Sequence, residues 1–286
     1  MAEPDPILVN DWHAVVELEF LATRGSFETV LLGVPIEISE SGAGPGEVRV
    51  VRRDTGAPLA ARIEYGHVFA SLGEPDRDIV HFPECFEADR IFVTGGSIAV
   101  HVSGLRAVEN FLDMGHFPFV HTDYLGAEPH TEVEPYEVRV TNENEILATE
   151  CRFFQPLASP SADGGMMVDY EYRVSRPYTV CLYKSNPIEP ERWDFIVLFV
   201  QPVSEERCVA HPYLAYLPHN LDNETNRWFM QLIFAQDKPI LENQLPKRLP
   251  LDPRAEIPAR SDASSLSYRR WLSAQGVTYG AIPAAA

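Results

Sequence analysis

Two histidines and an aspartate lie close together in the segment ENFLDMGHFPFVH, residues 109–121. Asp113 and His116 are three residues apart, and His121 follows five residues later. Two imidazoles with one carboxylate form the ligand set of non-heme iron sites with open coordination positions, and imidazole also suits Zn, Cu and Ni. A carboxylate near a ligand histidine can instead accept a hydrogen bond from the second ring nitrogen. By residue type alone, a metal site and an ordinary amphipathic helix both stay open.

The spacing predicts a helix that carries Asn110, Asp113 and His116 on one stripe, because neighbours three apart share a helix face. On a continuous helix His121 would point away from His116, since five residues turn the direction by about 140°. Pro118 disfavours such a continuous helix. We therefore expect the helix to end near His116 and a turn to bring His121 back beside it.

Most of the remaining chain alternates apolar and polar residues, a pattern typical of half-buried strands. Short turns separate these strands, which favours antiparallel pairing because parallel pairs need long crossovers. Helices are predicted at 107–117, at 222–244 with Asp222 as N-cap, and at 261–276 with Gly276 at the end. The expected fold is α+β: a large antiparallel sheet with a long helix against it, preceded by a smaller β module.

Charge and composition exclude several functional classes. The 286 residues carry a formal net charge of −19, which argues against nucleic acids and anionic membranes and is compatible with a basic protein partner. No apolar run reaches the roughly 20 residues that span a bilayer. The N-terminal segment lacks the basic region of a secretory signal, and the four cysteines form no CxxC pair. We expect a cytoplasmic protein.

The spacing N-x2-D-x2-H-x4-H resembles the mononuclear-iron motif of the Rieske non-heme iron oxygenases. The resemblance implies that His116 and His121 bind Fe(II) and that Asp113 forms a hydrogen-bonded path for electrons from a Rieske cluster. It also implies a carboxylate ligand on a late, long helix, and AQDKPILENQ matches that place with Asp237. Asn110 is either a supporting side chain behind the ligands or a polar residue of the helix surface.

The Rieske cluster of that family sits on two arms, typically C-x-H and C-x2-H. Residues 10–15 and 61–75 resemble the segments that flank the cluster, yet no cysteine lies between them, and the first one in the chain is Cys85. The resemblance therefore implies a remnant Rieske-like β module without cluster ligands at 1–104. A mononuclear-iron catalytic domain with the helix-grip, START-like architecture would follow at 105–286.

The same resemblance implies a catalytic oxygenase component that uses Fe(II) and O2 to hydroxylate a small aromatic or heterocyclic substrate. The purine-alkaloid N-demethylase branch is the most similar, so N- or O-demethylation with release of formaldehyde is expected. Electrons would come from an external NAD(P)H-dependent reductase that carries a Rieske cluster. A glutathione-S-transferase-like accessory subunit and a trimer are implied in the same way. Ring dihydroxylation, a non-catalytic paralogue and a carrier of hydrophobic ligands stay open as alternatives.

Apolar side chains near the three expected ligands have two interpretations. We expect the aromatic residues Phe111 and Phe119, together with Phe117, to belong to the core. Ile233 or Phe234 lies one turn before Asp237 and Met230 two turns before it, where they would line a substrate pocket or simply pack in the core.

Overall fold

The computed structural model describes residues 4–41, 46–157, 164–186, 189, 191–217 and 222–284. Its strands are β1 (His13–Glu17), β2 (Ser26–Leu31), β3 (Val34–Glu40), β4 (Val48–Arg52), β5 (Ala60–Glu64), β6 (His67–Ser71), β7 (Ile91–Thr94), β8 (Ile98–Val100), β9 (Glu137–Val140), β10 (Ile146–Gln155), β11 (Met166–Arg176), β12 (Thr179–Lys184), β13 (Asp194–Ser204), β14 (Arg207–Tyr216), β15 (Leu249–Pro250) and β16 (Ala281–Ile282). Its α-helices are α1 (Pro6–Val9), α2 (Leu18–Arg24), α3 (Gly104–Leu112), α4 (Phe117–Val120), α5 (Asn223–Asn243) and α6 (Ala263–Ala274).

An eight-stranded antiparallel sheet dominates the described structure. Its order is β7-β14-β13-β12-β11-β10-β9. The eighth strand, β8, pairs with a different part of β14 from the part that pairs with β7. Helices α3 and α5 cover one face of this sheet, and α6 packs beside α3 and against β9 and β10. The predicted α+β class, a large antiparallel sheet with C-terminal helices, is confirmed.

Strand β13 shows why this sheet is apolar on both faces. Phe195 and Phe199 pack on one side against aromatic and aliphatic side chains of the first hundred residues. Ile196 and Leu198, which alternate with them, face a cavity under the helices on the other side. Successive strand residues point to opposite faces, so a strand covered twice must be apolar throughout.

The first hundred residues form two three-stranded antiparallel sheets, β1-β6-β5 and β2-β3-β4. Gln201 of β13 ties the β2-β3-β4 sheet to the large sheet, because its side-chain amide donates to Val30 O at 2.8 Å and to Thr29 Oγ1 at 2.9 Å. Strands β7 and β8 precede the proposed domain division at 104/105, yet both pair with β14. The division itself stays a prediction.

Local chemistry accounts for the helix ends that the sequence predicts well. Asp222 caps α5 by accepting a hydrogen bond from Thr225 N at 2.7 Å. Gly276 follows α6 with φ at 72°, the left-handed conformation that favours glycine after a helix. In contrast, α3 ends at Leu112, so the prediction that it continues to residue 117 is wrong. Among the described helices, none is long and apolar enough to cross a membrane.

A buried ionic network holds α3 against α6. Glu109 contacts Arg106 at 3.1 Å and Arg269 at 2.5 Å, and Glu256 bonds to both arginines. The Arg106 side chain is fully buried. Removing one partner from such a network leaves an uncompensated charge, which costs about 3–5 kcal/mol. The network therefore fixes α3, whose last turn leads directly into the 113–121 segment.

Candidate metal centre

His116, His121 and Asp237 meet at one point, although 116 residues separate the last two in the chain. Asp237 Oδ1 lies 3.3 Å from His116 Nε2 and 3.1 Å from His121 Nε2. The two Nε2 atoms are 3.1 Å apart. His121 and Asp237 are buried, and the His116 side chain is 14% exposed. The structure thus brings together the three residues that the resemblance proposes as ligands.

A break between two helices positions the histidines. Asp113 adopts extended backbone after α3, and its Oδ1 accepts a hydrogen bond from Gly115 N at 2.7 Å. His116 then precedes α4, whose first turn contains Pro118, a position where the missing N–H costs nothing. One short turn later the chain reaches His121, and the two imidazole centroids lie 5.0 Å apart. Asp113 and His116 are therefore outside α3, contrary to the predicted single helical stripe.

Each imidazole is oriented through its second ring nitrogen. His116 Nδ1 donates to Asp113 Oδ2 at 3.0 Å, and His121 Nδ1 donates to Gln236 Oε1 at 2.8 Å. Both acceptors hold the Nδ1–H tautomer, which turns the Nε2 lone pair inward. Sequence reasoning missed Gln236. Its only signal was its place directly before Asp237 in the chain.

The donor set fits a divalent metal ion. With both Nδ1 atoms protonated, two Nε2 lone pairs and a carboxylate oxygen face one another at 3.1–3.3 Å. Asp237 Oδ1 is buried and faces these two Nε2 atoms. Metal–nitrogen bonds of about 2.1 Å place adjacent ligand atoms roughly 3 Å apart. The spacing is that of two imidazoles and a carboxylate around one ion, with positions left open.

In the metal-free protein a proton substitutes for this cation. Burial lowers the pKa of His116, but the hydrogen bonds with Asp113 and Asp237 raise it more, to about 9. Burial raises the pKa of Asp237, and its hydrogen bonds with both histidines lower it to about 2. A metal ion must displace the proton on His116, so metal binding should release it.

An apolar cavity of about 150 Å³ adjoins the three residues, between the sheet and α5. A cavity of about this volume in an engineered core binds benzene, so it accommodates an aromatic ring. Several aromatic and aliphatic side chains line it, among them Phe111, Phe117, Leu182, Met230, Ile233 and Phe234. Phe111 and Phe117 line this cavity in part. Phe119 is 66% exposed, so the expectation that it belongs to the core is wrong.

Four polar side chains also reach the cavity wall: Asn110, Tyr170, Tyr172 and Lys184. Asn110 faces both the cavity and a groove on the outer side of His116. Burial lowers the pKa of Lys184 to about 8, and the charge of Asp194 opposes that shift. Sequence reasoning missed the two tyrosines and the lysine, because nothing local shows which face of β11 and β12 lines the cavity.

The outer groove begins at Asp113 and His116 and is lined by residues of α3, α5 and α6. The Asp113 side chain is 31% exposed, so this carboxylate links the His116 imidazole to the surface. Ile240 and Ile257 lie at the rim, 51% and fully exposed respectively. Exposed apolar side chains grouped at a polar groove are typical of sites where another protein docks.

The C-x2-H spacing of a Rieske arm occurs once in the chain, at Cys208 and His211. Both residues are buried within β14. Residues three apart on a strand point to opposite faces, so these two cannot bind one iron together. Residues 15–61, between the segments that resemble the cluster flanks, contain no cysteine.

Comparison with known proteins identifies the family of the chain. Residues 100–276 match the family model of the vanillate O-demethylase oxygenase C-terminal domain. The chain is 44% identical to a protein named probable methylxanthine N7-demethylase NdmC, from Pseudomonas sp. (strain TJI-51), over 98% of this chain and 99% of that one. It is 28% identical to the methylxanthine N1-demethylase NdmA of Pseudomonas putida over 58% of this chain and 45% of that one.

Solved structures share the fold. The structure of NdmA from Pseudomonas putida CBB5 with caffeine has a TM-score of 0.74 at 18% identity, covering 93% of this chain and 90% of that one. Apo dicamba monooxygenase has a TM-score of 0.64 at 14% identity, covering 93% of this chain and 96% of that one. The chain belongs to the Rieske-type non-heme iron oxygenases, as a demethylase-like oxygenase subunit of the methylxanthine N-demethylase branch.

Proposed function

We propose that this chain binds one Fe(II) through His116, His121 and Asp237 and oxidatively removes a methyl group from a nitrogen of a methylxanthine. The observation that carries the proposal is the convergence of two imidazole nitrogens and one carboxylate oxygen beside an apolar cavity. The N7 methyl group is the proposed target, by analogy with the relative that is named for it. When bound, iron supplies the activation of O2.

The overall reaction balances with one O2, two electrons and two protons. One oxygen atom enters the N-methyl C–H bond and the other leaves as water. The resulting hemiaminal loses formaldehyde when its O–H proton moves to the ring nitrogen and the C–N bond breaks. The role of the protein is to hold the flat ring against the cavity wall with one methyl group towards the ligands. Correct orientation alone lowers an activation barrier by several kcal/mol.

Electrons enter through Asp113 in this proposal. Its carboxylate accepts from His116 Nδ1 at 3.0 Å and reaches the outer groove, where Ile240 and Ile257 offer an apolar contact. The proposed partner is an NAD(P)H-dependent reductase with its own Rieske cluster, docked at this groove. A glutathione-S-transferase-like accessory subunit, a trimeric assembly and a cytoplasmic location belong to the same proposal and rest on the family resemblance and the sequence.

Iron content and formaldehyde release test the proposal together. Protein reconstituted anaerobically should hold one iron per chain, and should release one formaldehyde per methylxanthine consumed when supplied with a Rieske reductase. His116→Ala should abolish both, whereas His130→Ala should retain both because His130 packs on Phe154 away from the ligands.

Other outcomes identify the alternatives. A hydroxylated ring without formaldehyde would indicate dihydroxylation. Binding of the heterocycle by protein that takes up no iron would indicate a carrier. If His116→Ala retains both iron binding and formaldehyde release, the iron site is refuted.

A further inference from the structure

The C-terminal end of α3 is held by a serine from another helix. In a continued helix, Leu112 O would accept a hydrogen bond from His116 N, four residues later. Instead it accepts one from Ser264 Oγ at 3.0 Å, and Ser264 lies in the first turn of α6. Ser264 is 1% exposed, so water cannot readily replace its hydroxyl. The serine therefore takes the place of the helical N–H donor at the residue directly before Asp113.

Tyr136 holds this serine and the nearby Ser261 in place. Its hydroxyl donates to Ser261 O at 2.6 Å and accepts from Ser264 N at 3.0 Å. Ser261 lies against the turn that follows Asp113, because a carbon added to Gly115 would be 3.2 Å from Ser261 Oγ. Burial raises the pKa of the Tyr136 hydroxyl, so it stays a hydrogen-bond donor at neutral pH. These contacts therefore support the chain on both sides of Asp113.

The geometry points to Ser264 as a positioning residue for the metal centre, with Tyr136 as its support. Its hydrogen bond fixes where α3 stops and hence the direction in which Asp113 leaves the helix. Asp113 accepts from His116 Nδ1 at 3.0 Å, and this bond orients the imidazole. Without Ser264, Leu112 O is available to His116 N and α3 can gain a further turn, which would move the imidazole. The inference rests on the proposed function, since it takes His116 as an iron ligand.

Ser264→Ala and Ser71→Ala form a matched pair of variants. The Ser71 hydroxyl is also buried and also donates to a backbone carbonyl at 3.0 Å, that of Val9 in the first hundred residues. Each variant loses one side-chain hydrogen bond, so both should lower the melting temperature to a similar extent. Only Ser264→Ala should weaken Fe(II) binding, by roughly 10-fold in anaerobic titration against a competing chelator. When saturated with iron, it should lower kcat for formaldehyde release and change KM less, because Ser264 is not part of the cavity lining.

Proton NMR of metal-free protein tests the position of His116 without iron. The His116 Nδ1 proton, in a hydrogen bond to a carboxylate, should give a resonance downfield of the backbone amides. Ser264→Ala should shift or broaden this resonance, whereas Ser71→Ala should leave it unchanged. The Nδ1 proton of His121 is an internal reference, because its acceptor is Gln236 on α5.

Tyr136→Phe is the second variant, used if Ser264→Ala does not fold. It removes the hydroxyl that holds the serine and leaves the serine itself in the chain, so it should shift the His116 resonance and weaken Fe(II) binding as well. Tyr268→Phe is its control, because the Tyr268 hydroxyl also donates to a backbone carbonyl at 2.6 Å. The control should lower the melting temperature and leave the resonance and the Fe(II) affinity unchanged.

An unchanged His116 resonance or an unchanged Fe(II) affinity in Ser264→Ala overturns the inference, as does an equal effect of Ser71→Ala. The same outcomes overturn it for Tyr136→Phe against its control. If the wild type binds no iron, the proposed function fails, and the resonance alone then decides whether Ser264 positions His116.

Discussion

Gln236→Leu should weaken metal binding although Gln236 touches no metal. Its Oε1 accepts the His121 Nδ1 proton at 2.8 Å, and His121 is 1% exposed, so water cannot replace the lost acceptor. A buried N–H without a partner costs about 1–3 kcal/mol. Loss of such a supporting hydrogen bond typically lowers metal affinity about 10–100-fold, which corresponds to about 1.4–2.8 kcal/mol. The two magnitudes agree.

The assay is anaerobic titration of metal-free protein with Fe(II) against a competing chelator. Gln231→Leu is the control on the same helix, because the Gln231 amide donates to Gly95 O at 3.0 Å, away from the ligands. We expect the control to alter stability and to leave the Fe(II) dissociation constant unchanged. Equal Fe(II) affinity in Gln236→Leu and the wild type would refute the reasoning, as would equal weakening by both variants.

Three further changes test other parts of the site. Asp113→Asn should reduce formaldehyde release by iron-saturated protein roughly 10–100-fold, because one amide oxygen cannot serve both donors that the carboxylate serves; normal turnover would contradict this. Gly126→Ala should destabilise the protein by about 1–3 kcal/mol in urea unfolding, since the added carbon would lie 2.6 Å from Pro118 N; an unchanged midpoint would contradict it. Burial lowers the pKa of Lys184 to about 8 in the folded protein. Between pH 8 and the higher pKa of this lysine in the unfolded chain, the folded state has lost the proton and the unfolded state still holds it. The free energy of unfolding of metal-free wild-type protein should therefore rise with pH across this range. The Lys184→Met variant should not show this rise in the free energy of unfolding. Unfolding of the variant and the wild type at pH 7 and at pH 10 tests the difference.

Features governed by neighbouring residues were predictable from the sequence. The α5 N-cap at Asp222 and the glycine after α6 follow from side-chain and backbone chemistry within one helical turn. The strand pattern predicted the antiparallel sheet because alternation and short turns are also local. The position of Asp237 opposite the histidines came from the family resemblance, since nothing local relates residues on separate helices.

The C-terminal end of α3 could not be predicted from periodicity. The 110, 113, 116 spacing continues a helix perfectly well, but Asp113 hydrogen-bonds to Gly115 N and His116 and so ends it. Aspartate side chains commonly form such local hydrogen bonds to nearby groups, and these bonds compete with continuation of the helix. Gln236 could not be recognised for another reason: its importance depends on the ring of His121, which is distant in the chain.

His116 and His121 have different supporting partners, and charge explains the choice. Asp237 and Asp113 carry two negative charges, which a divalent cation balances. A third carboxylate at Gln236 would leave a net negative charge around His121, which is 1% exposed, and burying an uncompensated charge is expensive. The neutral amide supplies the same acceptor oxygen without that cost. The charged acceptor is placed instead on the His116 side, where Asp113 is 31% exposed and solvent or a docked partner can stabilise it.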